Sequence, residues 1–161
     1  MKKREDLMPV GEHSTDEQLM RLALAEAHTA EQNGEVPVGA VVSLGGRIVA
    51  CAGNRTIGDC DPTAHAEIVA LRAAAQAVGN HRLTGAVLYV TVEPCAMCAG
   101  AMVQARIARV VYGCDDPKGG AAHSCFAIFD HPALNHRVEL TGGVLAAECG
   151  GALQSFFAPR R

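Results

Sequence analysis

The sequence "AVLYVTVEPCAMCAGAMVQARIARVVYG" occupies residues 86–113 and predicts a β-α-β unit. Its beginning, residues 86–92, is a nearly all-apolar run, typical of a strand in the middle of a sheet that is covered on both faces. A helix is predicted over residues 95–105, and a second strand over residues 109–114. Two strands joined in this way pair in parallel through a right-handed crossover. The unit therefore predicts an α/β fold.

The rest of the chain predicts further elements that extend and cover this sheet. Two β-rich runs flank Gly45-Gly46, which predicts a hairpin with a two-residue turn. Asp61 is a candidate helix cap, with Pro62 at the first helical position. Together these patterns predict a mixed sheet of about five strands between helices. The remaining predicted elements are helices at residues 15–32, 61–78 and 144–161, and strands at residues 36–44, 47–54 and 137–143.

The composition favours one domain in a cytoplasmic protein. The chain has 161 residues, of which 49% are hydrophobic, enough for one compact core. Residues 1–14 are polar and lack an apolar run after their basic start, so they are interpreted as a flexible leader and not as a signal peptide. Residues 15–161 are predicted to form a single domain. A net charge of −3 gives no general attraction to nucleic acid or to membranes.

The cysteines favour metal binding over disulfides. The chain has seven of them, an odd number, and no predicted signal peptide, so reduced thiols are expected. Most are isolated among small or apolar residues and are predicted to be buried small hydrophobic side chains. These are Cys51, Cys60, Cys114, Cys125 and Cys149.

Cys95 and Cys98 form the one Cys-x-x-Cys pair of the chain. At the start of a predicted helix they lie on one face and can both reach one ion, and the helix N-terminus favours their thiolate forms. The pair alone is a weak signal, since it is also compatible with a redox role or with chance. Two thiolates do not complete a zinc site. A catalytic zinc takes three protein ligands and a water molecule, so one further ligand is needed.

His65 is the best candidate for the third ligand. It lies near the start of the second predicted helix, two residues before Glu67, whereas the other histidines are expected at the surface or in the core. His-x-Glu followed by Pro-Cys-x-x-Cys is the signature of zinc nucleobase deaminases. In that chemistry the ion lowers the pKa of a bound water toward about 7. Glu67 then remains uncoordinated and can carry protons.

The resemblance extends well beyond this signature. The runs "EVPVGAVV", "DPTAHAEIVALR", "DDPKGGAA" and "HPALNHRVEL", together with the opening stretch, resemble bacterial tRNA-specific adenosine deaminases over residues 15–158. These enzymes are a branch of the cytidine-deaminase-like superfamily. The resemblance implies a three-layer α/β/α fold with a five-stranded mixed sheet between helices. It also implies a homodimer with one zinc per subunit, acting on the anticodon loop of tRNA.

The activity implied is hydrolytic deamination of adenosine to inosine at the wobble position, in the arginine tRNA with an ACG anticodon. By the same resemblance, His65, Cys95 and Cys98 are expected to bind zinc, and Glu67 to be catalytic. The residues expected to bind the substrate are Asn54, Ala66, Asp116, Lys118 and Phe157. Two of these have simpler interpretations, since Asn54 also suits a turn after a strand and Phe157 also suits a core helix.

Three residues depart from the family pattern, and all are expected at the substrate rim. They are Thr56, His123 and Cys125. His123 offers a possible new phosphate or base contact, although an exposed loop histidine without a partner is the simpler expectation.

Two alternative functions remain at this stage. A metabolic deaminase of a free base or nucleoside, of the guanine or cytidine type, would use the same metal and glutamate. A catalytically silent RNA-binding or structural zinc protein is the second alternative, and the intact Glu67 argues against it. The acidic charge balance argues against RNA, since nucleic-acid-binding domains usually carry a basic surface. A folded anticodon loop, however, needs only a few phosphate contacts.

Overall fold

The structure is a computed structural model that describes residues 8–9 and 15–160. Six strands form one mixed sheet in the order β1-β3-β2-β4-β5-β6. The predicted five-stranded sheet is confirmed as β2 to β6. The unpredicted β1 pairs with the outer edge of β3, while the rest of the proposed 1–14 leader lies outside the described residues. The strands are β1 (Met8–Pro9), β2 (Gly39–Leu44), β3 (Arg47–Gly53), β4 (Val87–Val92), β5 (Arg109–Cys114) and β6 (Glu139–Thr141).

Helices cover both faces of this sheet. Leu19, Met20 and Ala23 of the first helix pack with Cys149 of the last on one face, against Val41 and other strand residues. The second and third helices pack on the opposite face. The predicted α/β/α layers are thus confirmed. The helices are α1 (Asp16–Gln32), α2 (Ala66–Val78), α3 (Ala96–Gln104) and α4 (Ala146–Phe157), with short 3₁₀ turns at Ile128–Asp130 and Ala158–Arg160. Within the ranges 8–9 and 15–160, no helix has the length and apolarity that a membrane span requires.

The predicted hairpin and β-α-β unit are both present. Gly45 and Gly46 have φ values of +58° and +72°, the left-handed conformation that a two-residue hairpin turn needs and that glycine adopts without strain. Strands β2 and β3 pair antiparallel on either side of this turn. Strands β4 and β5 pair in parallel, with α3 between them in sequence. Strand β6 continues the parallel part of the sheet.

The predicted start of the second helix was wrong. Helix α2 begins at Ala66, with His65 as its N-cap, and not at Asp61. The Asp61 carboxylate instead accepts hydrogen bonds from the backbone N–H of Thr63 at 2.8 Å and from its hydroxyl at 2.7 Å. Asp61 therefore closes a local turn, a role that aspartate performs as well as helix capping.

The predicted burial of the isolated cysteines was wrong for three of the five. Cys51, Cys60 and Cys125 are exposed, Cys114 is half-buried and Cys149 is buried. Cys60 lies in a turn with a positive φ of 49°. Turn geometry and strand alternation placed these residues at the surface, and their apolar neighbours in sequence did not reveal it.

Candidate active site

The site lies at one edge of the sheet, where several chain segments converge. Strand β2 is antiparallel to both β3 and β4, so β3 and β4 run in the same direction, and β5 runs parallel to β4. The carboxyl ends of β3, β4 and β5 therefore meet at the same edge. Asn54 follows β3, Glu93 follows β4 and Asp115 follows β5. Such edges of α/β sheets are the usual place for ligand sites.

His65 is held at this edge by the start of α2. It is the N-cap of the helix but makes no side-chain capping hydrogen bond of its own. Asn54 supplies the missing acceptor, since its side-chain oxygen accepts from the backbone N–H of Ala66 at 2.8 Å. Because Asn54 provides the cap, the imidazole of His65 can face the start of α3. Ala66 itself is fully buried.

Cys95 and Cys98 meet His65 from the start of α3. Cys95 is the N-cap of that helix, and Cys98 lies in its first turn. The His65 Nδ1 atom is 3.6 Å from the sulfur of Cys95 and 3.5 Å from that of Cys98. All three donor atoms lie within 4.8 Å of one another. The structure thus brings the three predicted metal ligands together.

The spacing of these donors suits a tetrahedral metal ion. Typical zinc bonds, about 2.3 Å to sulfur and about 2.0 Å to nitrogen, place the nitrogen and sulfur ligands of a tetrahedral site about 3.6 Å apart. The observed separations of 3.6 and 3.5 Å agree with that distance. One imidazole and two thiolates are also the borderline-soft donors that zinc prefers. The three residues therefore fit zinc in both geometry and chemistry.

The two thiols differ in acidity. A hydrogen bond with the Cys98 thiol outweighs burial and, with the backbone N–H groups at the start of α3, lowers the pKa of Cys95 to about 5. The pKa of Cys98 is raised, because its thiol hydrogen-bonds to Cys95 and because it is buried. Cys95 is therefore the first of the pair to ionise. A bound cation would favour the second thiolate too.

Glu67 lies beside Cys98, whose thiol interacts with its carboxyl group. Its side chain is buried, with 3% of the residue exposed, in the first turn of α2. Burial raises the pKa of this carboxyl. Such a shift moves the group toward neutral pH, where it can both accept and donate a proton. The geometry thus suits the predicted proton carrier.

A loop formed by residues 115–124 borders the site and contains two of the predicted substrate residues. The Asp116 carboxylate accepts from the backbone N–H groups of Lys118 and Gly119 at 3.1 and 3.3 Å, which rigidifies the loop tip. The Lys118 side chain is exposed. Gly120, farther along the loop, forms an isolated β-bridge with Cys95. The loop therefore runs directly beside Cys95, one of the three candidate metal ligands.

Glu93 holds this loop and was missed by sequence reasoning. The residue is 2% exposed, and its carboxylate accepts hydrogen bonds from the loop. Burial raises the pKa of Glu93, but the donors outweigh it and lower the pKa to about 2, so the group is ionised. Its donors are the backbone N–H groups of Asp116, Ala122, His123 and Ser124 and the hydroxyl of Ser124.

A second buried carboxylate, also missed, holds the chain segment that follows Asn54. Glu35 is 3% exposed and accepts from the backbone N–H groups of Ile57 and Gly58 at 3.2 and 2.7 Å. The hydroxyl of Thr56 adds a third hydrogen bond at 3.3 Å. The departure at Thr56 therefore contributes to the anchoring of a loop. The only sequence signal for Glu35 and Glu93 was an acidic residue next to an apolar strand.

His123 has partners, so the expectation of an unpartnered side chain was wrong. Its Nε2 lies 2.8 Å from a carboxylate oxygen of Asp115, and its ring stacks on Tyr112 with centroids 6.1 Å apart. The hydrogen bond to Asp115 raises the pKa of the histidine. Cys125, the third departure, donates to the carbonyl of Pro117 at 3.1 Å. Both departures therefore make contacts that stabilise the 115–124 loop, through Asp115 and Pro117.

Phe157 is the one predicted substrate residue that the structure does not connect to the site. It is 41% exposed at the end of α4. Among the described residues, its ring contact is with Phe156, at 5.1 Å and an interplanar angle of 82°. The guanidinium of Arg160 lies 3.7 Å above the ring of Phe156. These contacts pack the C-terminal end of α4 and do not link Phe157 to the site.

Comparison with known proteins places the chain among deaminases. The family model of MafB19-like deaminases matches residues 14–161. The tRNA-specific adenosine deaminase of Haemophilus influenzae is 51% identical over 147 residues, which cover 91% of this chain and 85% of that protein.

Solved structures agree with this similarity. One from a study of A-to-I editing by tRNA A34 deaminases at the wobble position of transfer RNA superposes with a TM-score of 0.82 at 49% identity. The match covers 84% of this chain and 98% of the other. Guanine deaminase from Bacillus subtilis superposes with a TM-score of 0.63 at 32% identity, over 91% of this chain and 94% of that one.

Proposed function

Because the chain belongs to the tRNA-specific adenosine deaminases, we propose that it converts adenosine to inosine at the wobble position of tRNA. The reaction is hydrolytic: a C–O bond forms at C6 of the base, the exocyclic C–N bond breaks, and ammonia leaves. The observation that carries the proposal is the convergence of His65, Cys95 and Cys98 beside the buried Glu67. A purely structural metal site would have no use for that carboxyl.

The proposed cofactor is one zinc ion held by His65, Cys95 and Cys98. When bound, zinc would act as the Lewis acid that makes a water molecule nucleophilic near neutral pH. Glu67 would accept one proton from the attacking water and deliver it to a ring nitrogen of the adenine. It would then accept the second proton, from the hydroxyl added at C6, and pass it to the departing amine, which restores the carboxylate as ammonia leaves. Burial of Glu67 keeps bulk water away from these proton transfers.

Two residues are proposed to orient the base. The Asn54 carbonyl oxygen is committed to the N–H of Ala66 at 2.8 Å, which leaves its amide group to donate to a purine edge. Ala66 lies between the metal ligand and the proton carrier. For reaction at C6, the target base must be flipped out of its RNA stack so that it can enter the site beside His65 and Glu67.

Recognition of the RNA is proposed to use the 115–124 loop. Asp116 and Lys118 lie at its tip, one half-buried and one exposed. A single lysine and a few polar groups suit an anticodon loop, whose splayed bases are read in pockets and not through a broad basic surface. Phe157 remains a proposed RNA contact on the family resemblance alone.

Assembly and location are also proposed from the family. A homodimer is supported by large exposed apolar side chains at or near the site, of which Ile57 is 67%, Phe126 57% and Met97 37% exposed. A second copy that covers them would remove apolar surface from water. Light scattering would then give about twice the chain mass of 16.8 kDa. A cytoplasmic location is proposed because the substrate is tRNA.

The test is inosine formation by the zinc-loaded protein. The substrates are an anticodon stem-loop of arginine tRNA with the sequence ACG and, in parallel, free adenosine, cytidine and guanine. Conversion of the RNA alone is expected. Conversion of guanine alone would favour the activity of the guanine deaminase relative and would contradict the proposal. Bound zinc without release of ammonia from any of these substrates would indicate a silent zinc protein.

A further inference from the structure

A buried carboxylate ties the substrate-side loop to the metal-ligand helix. Glu93 lies two residues before Cys95 and one before Pro94, at the end of β4. Its side chain has no solvent exposure. All the donors to its carboxylate described above come from residues 116–124, which lie 23 to 31 positions later in sequence. One side chain therefore binds the loop near both of its ends, at Asp116 and at residues 122–124.

The number of donors explains why the charge is tolerated there. A buried carboxylate is costly unless it is hydrogen-bonded, and an ionised carboxyl has about four acceptor sites. Four backbone N–H groups at 3.0 to 3.1 Å and the Ser124 hydroxyl fill them. The imidazole of His123 lies 3.7 Å away but is half exposed. The charge is thus stabilised mainly by the loop backbone.

The neighbouring backbone fixes the same arrangement. The carbonyl of Pro94 accepts from the N–H of Ala121 at 2.8 Å, and Cys95 forms a bridge with Gly120. A Cβ atom on Gly120 would lie 2.3 Å from the Glu93 carboxyl group. Only glycine allows the loop to approach this closely. Residues 93–95 therefore contact the 115–124 loop and include one proposed metal ligand, so they fix the position of the loop relative to the metal site.

We propose that Glu93 is a positioning residue that sets the 115–124 loop relative to the metal centre, so that the loop tip meets the anticodon nucleotides when the target base enters the site. Glu93 touches neither substrate nor metal ion in this role. The inference rests on the proposed function and extends it. Glu93 is therefore expected to affect the affinity for RNA and not the rate of the chemical step.

The first test measures the loop itself. In Glu93→Gln, an amide replaces one carboxylate oxygen and turns donors toward the loop N–H groups. Hydrogen exchange of the Asp116, Ala122, His123 and Ser124 amides in the zinc-loaded protein should then rise by about tenfold or more. The matched control is Glu35→Gln, which should raise exchange at Ile57 and Gly58 instead. Unchanged exchange of the loop amides in Glu93→Gln would overturn the proposal.

The second test separates positioning from chemistry. Steady-state kinetics on the ACG stem-loop should show that Glu93→Gln raises KM by about tenfold or more while kcat falls less than about threefold. Zinc content should remain one per chain. A fall in kcat at unchanged KM, or loss of zinc, would show that Glu93 acts on the metal centre and would overturn the inference.

A milder variant is included in case Glu93→Gln does not fold. Ser124→Ala removes a single donor to Glu93 and should raise KM in the same direction by a smaller factor, with kcat unchanged. An unchanged KM in a folded, zinc-loaded Ser124→Ala would contradict the inference if Glu93→Gln failed to fold. Failure of the proposed function is visible separately, because the wild-type protein would then produce no inosine before any variant is compared.

Discussion

The side-chain oxygen of Asn54 accepts a hydrogen bond from the backbone N–H of Ala66 at 2.8 Å, immediately after the proposed metal ligand His65. This single contact joins the end of β3 to the start of α2. It gives helix α2 the cap that His65 does not provide from its own side chain. The residue is thus structural through its oxygen, and its amide nitrogen is available for a second role.

Substitution of Asn54 separates these two roles. Asn54→Ala should lower the free energy of unfolding by about 1 to 2 kcal/mol, because an orphan N–H at the helix start loses its acceptor. Asn54→Asp keeps the acceptor oxygen and should unfold near the wild-type temperature. Both variants lack the amide donor, so both should lose kcat/KM on the RNA. Full activity of Asn54→Asp would show that the amide does not bind the base.

Glu67 is expected to be needed for catalysis and not for metal binding. Glu67→Gln should retain one zinc per chain and lose about 10² to 10⁴-fold in kcat, because the amide cannot carry protons. Its thermal unfolding temperature should not fall, since the variant removes an ionisable group from a buried position. Single-turnover inosine formation measures the loss. Activity within threefold or so of wild type would rule out Glu67 as the proton carrier.

Zinc binding should require the clustered cysteines, Cys95 and Cys98, and should not require an exposed cysteine. Cys98→Ser should abolish stoichiometric zinc, measured by elemental mass spectrometry, because the thiolate is one of the three proposed ligands. Cys125→Ser is the matched control and should keep zinc, since Cys125 is exposed and donates only to the Pro117 carbonyl among the described contacts. A chelator should lower the unfolding temperature of the wild type but leave that of Cys98→Ser unchanged.

An acid-sensitive contribution to stability is expected far from the metal. The Asp16 carboxylate forms two hydrogen bonds with the Arg109 guanidinium, at 2.9 and 2.7 Å, and this contact lowers the pKa of Asp16 below its usual 3.8. A lowered pKa gives stability that is present above the unfolded pKa and is lost as pH falls through the folded one. Asp16→Asn should therefore cost about 1 to 2 kcal/mol near neutral pH, and less below the usual pKa of aspartate.

The control for Asp16 is Glu17→Gln, which removes an exposed acid from the same helical turn. Both substitutions remove a negative charge near the start of α1, so the difference between them reports the contacts of the Asp16 carboxylate with Arg109 and with the Tyr89 hydroxyl, which donates to it at 3.3 Å. Urea unfolding at several pH values measures this difference. Equal effects of the two variants at neutral pH would show that these contacts add no net stability.

Local patterns in the sequence revealed most of the fold. The β-α-β unit and the glycine hairpin each have a signal within a few residues, and each was confirmed. The start of α2 was misplaced because Asp61-Pro62 carries the same local signal as a helix start. The acceptor that decides the true start, Asn54, lies 12 residues earlier. Such tertiary contacts are invisible to local reasoning.

The site was partly predictable for the same reason. His65, Glu67, Cys95 and Cys98 have a recognisable spacing, and the structure brings the three ligands together. The two buried carboxylates that hold the rim loops had no such signal. Their partners lie 21 to 31 residues away and are mostly backbone N–H groups, which every residue but proline possesses. Sequence alone therefore cannot show which backbone N–H groups will donate hydrogen bonds to a given buried acid.

The separation of the proposed metal ligands along the chain also bears on how a zinc-loaded protein would form. Cys95 and Cys98 are neighbours in any conformation, whereas His65 lies 30 residues before Cys95. An unfolded chain must therefore close a loop, at an entropic cost, before all three can share an ion. We therefore expect zinc binding by all three residues only after β3 and β4 have taken their places in the sheet and brought His65 to the start of α3. Zinc retention would then report that this end of the sheet has formed.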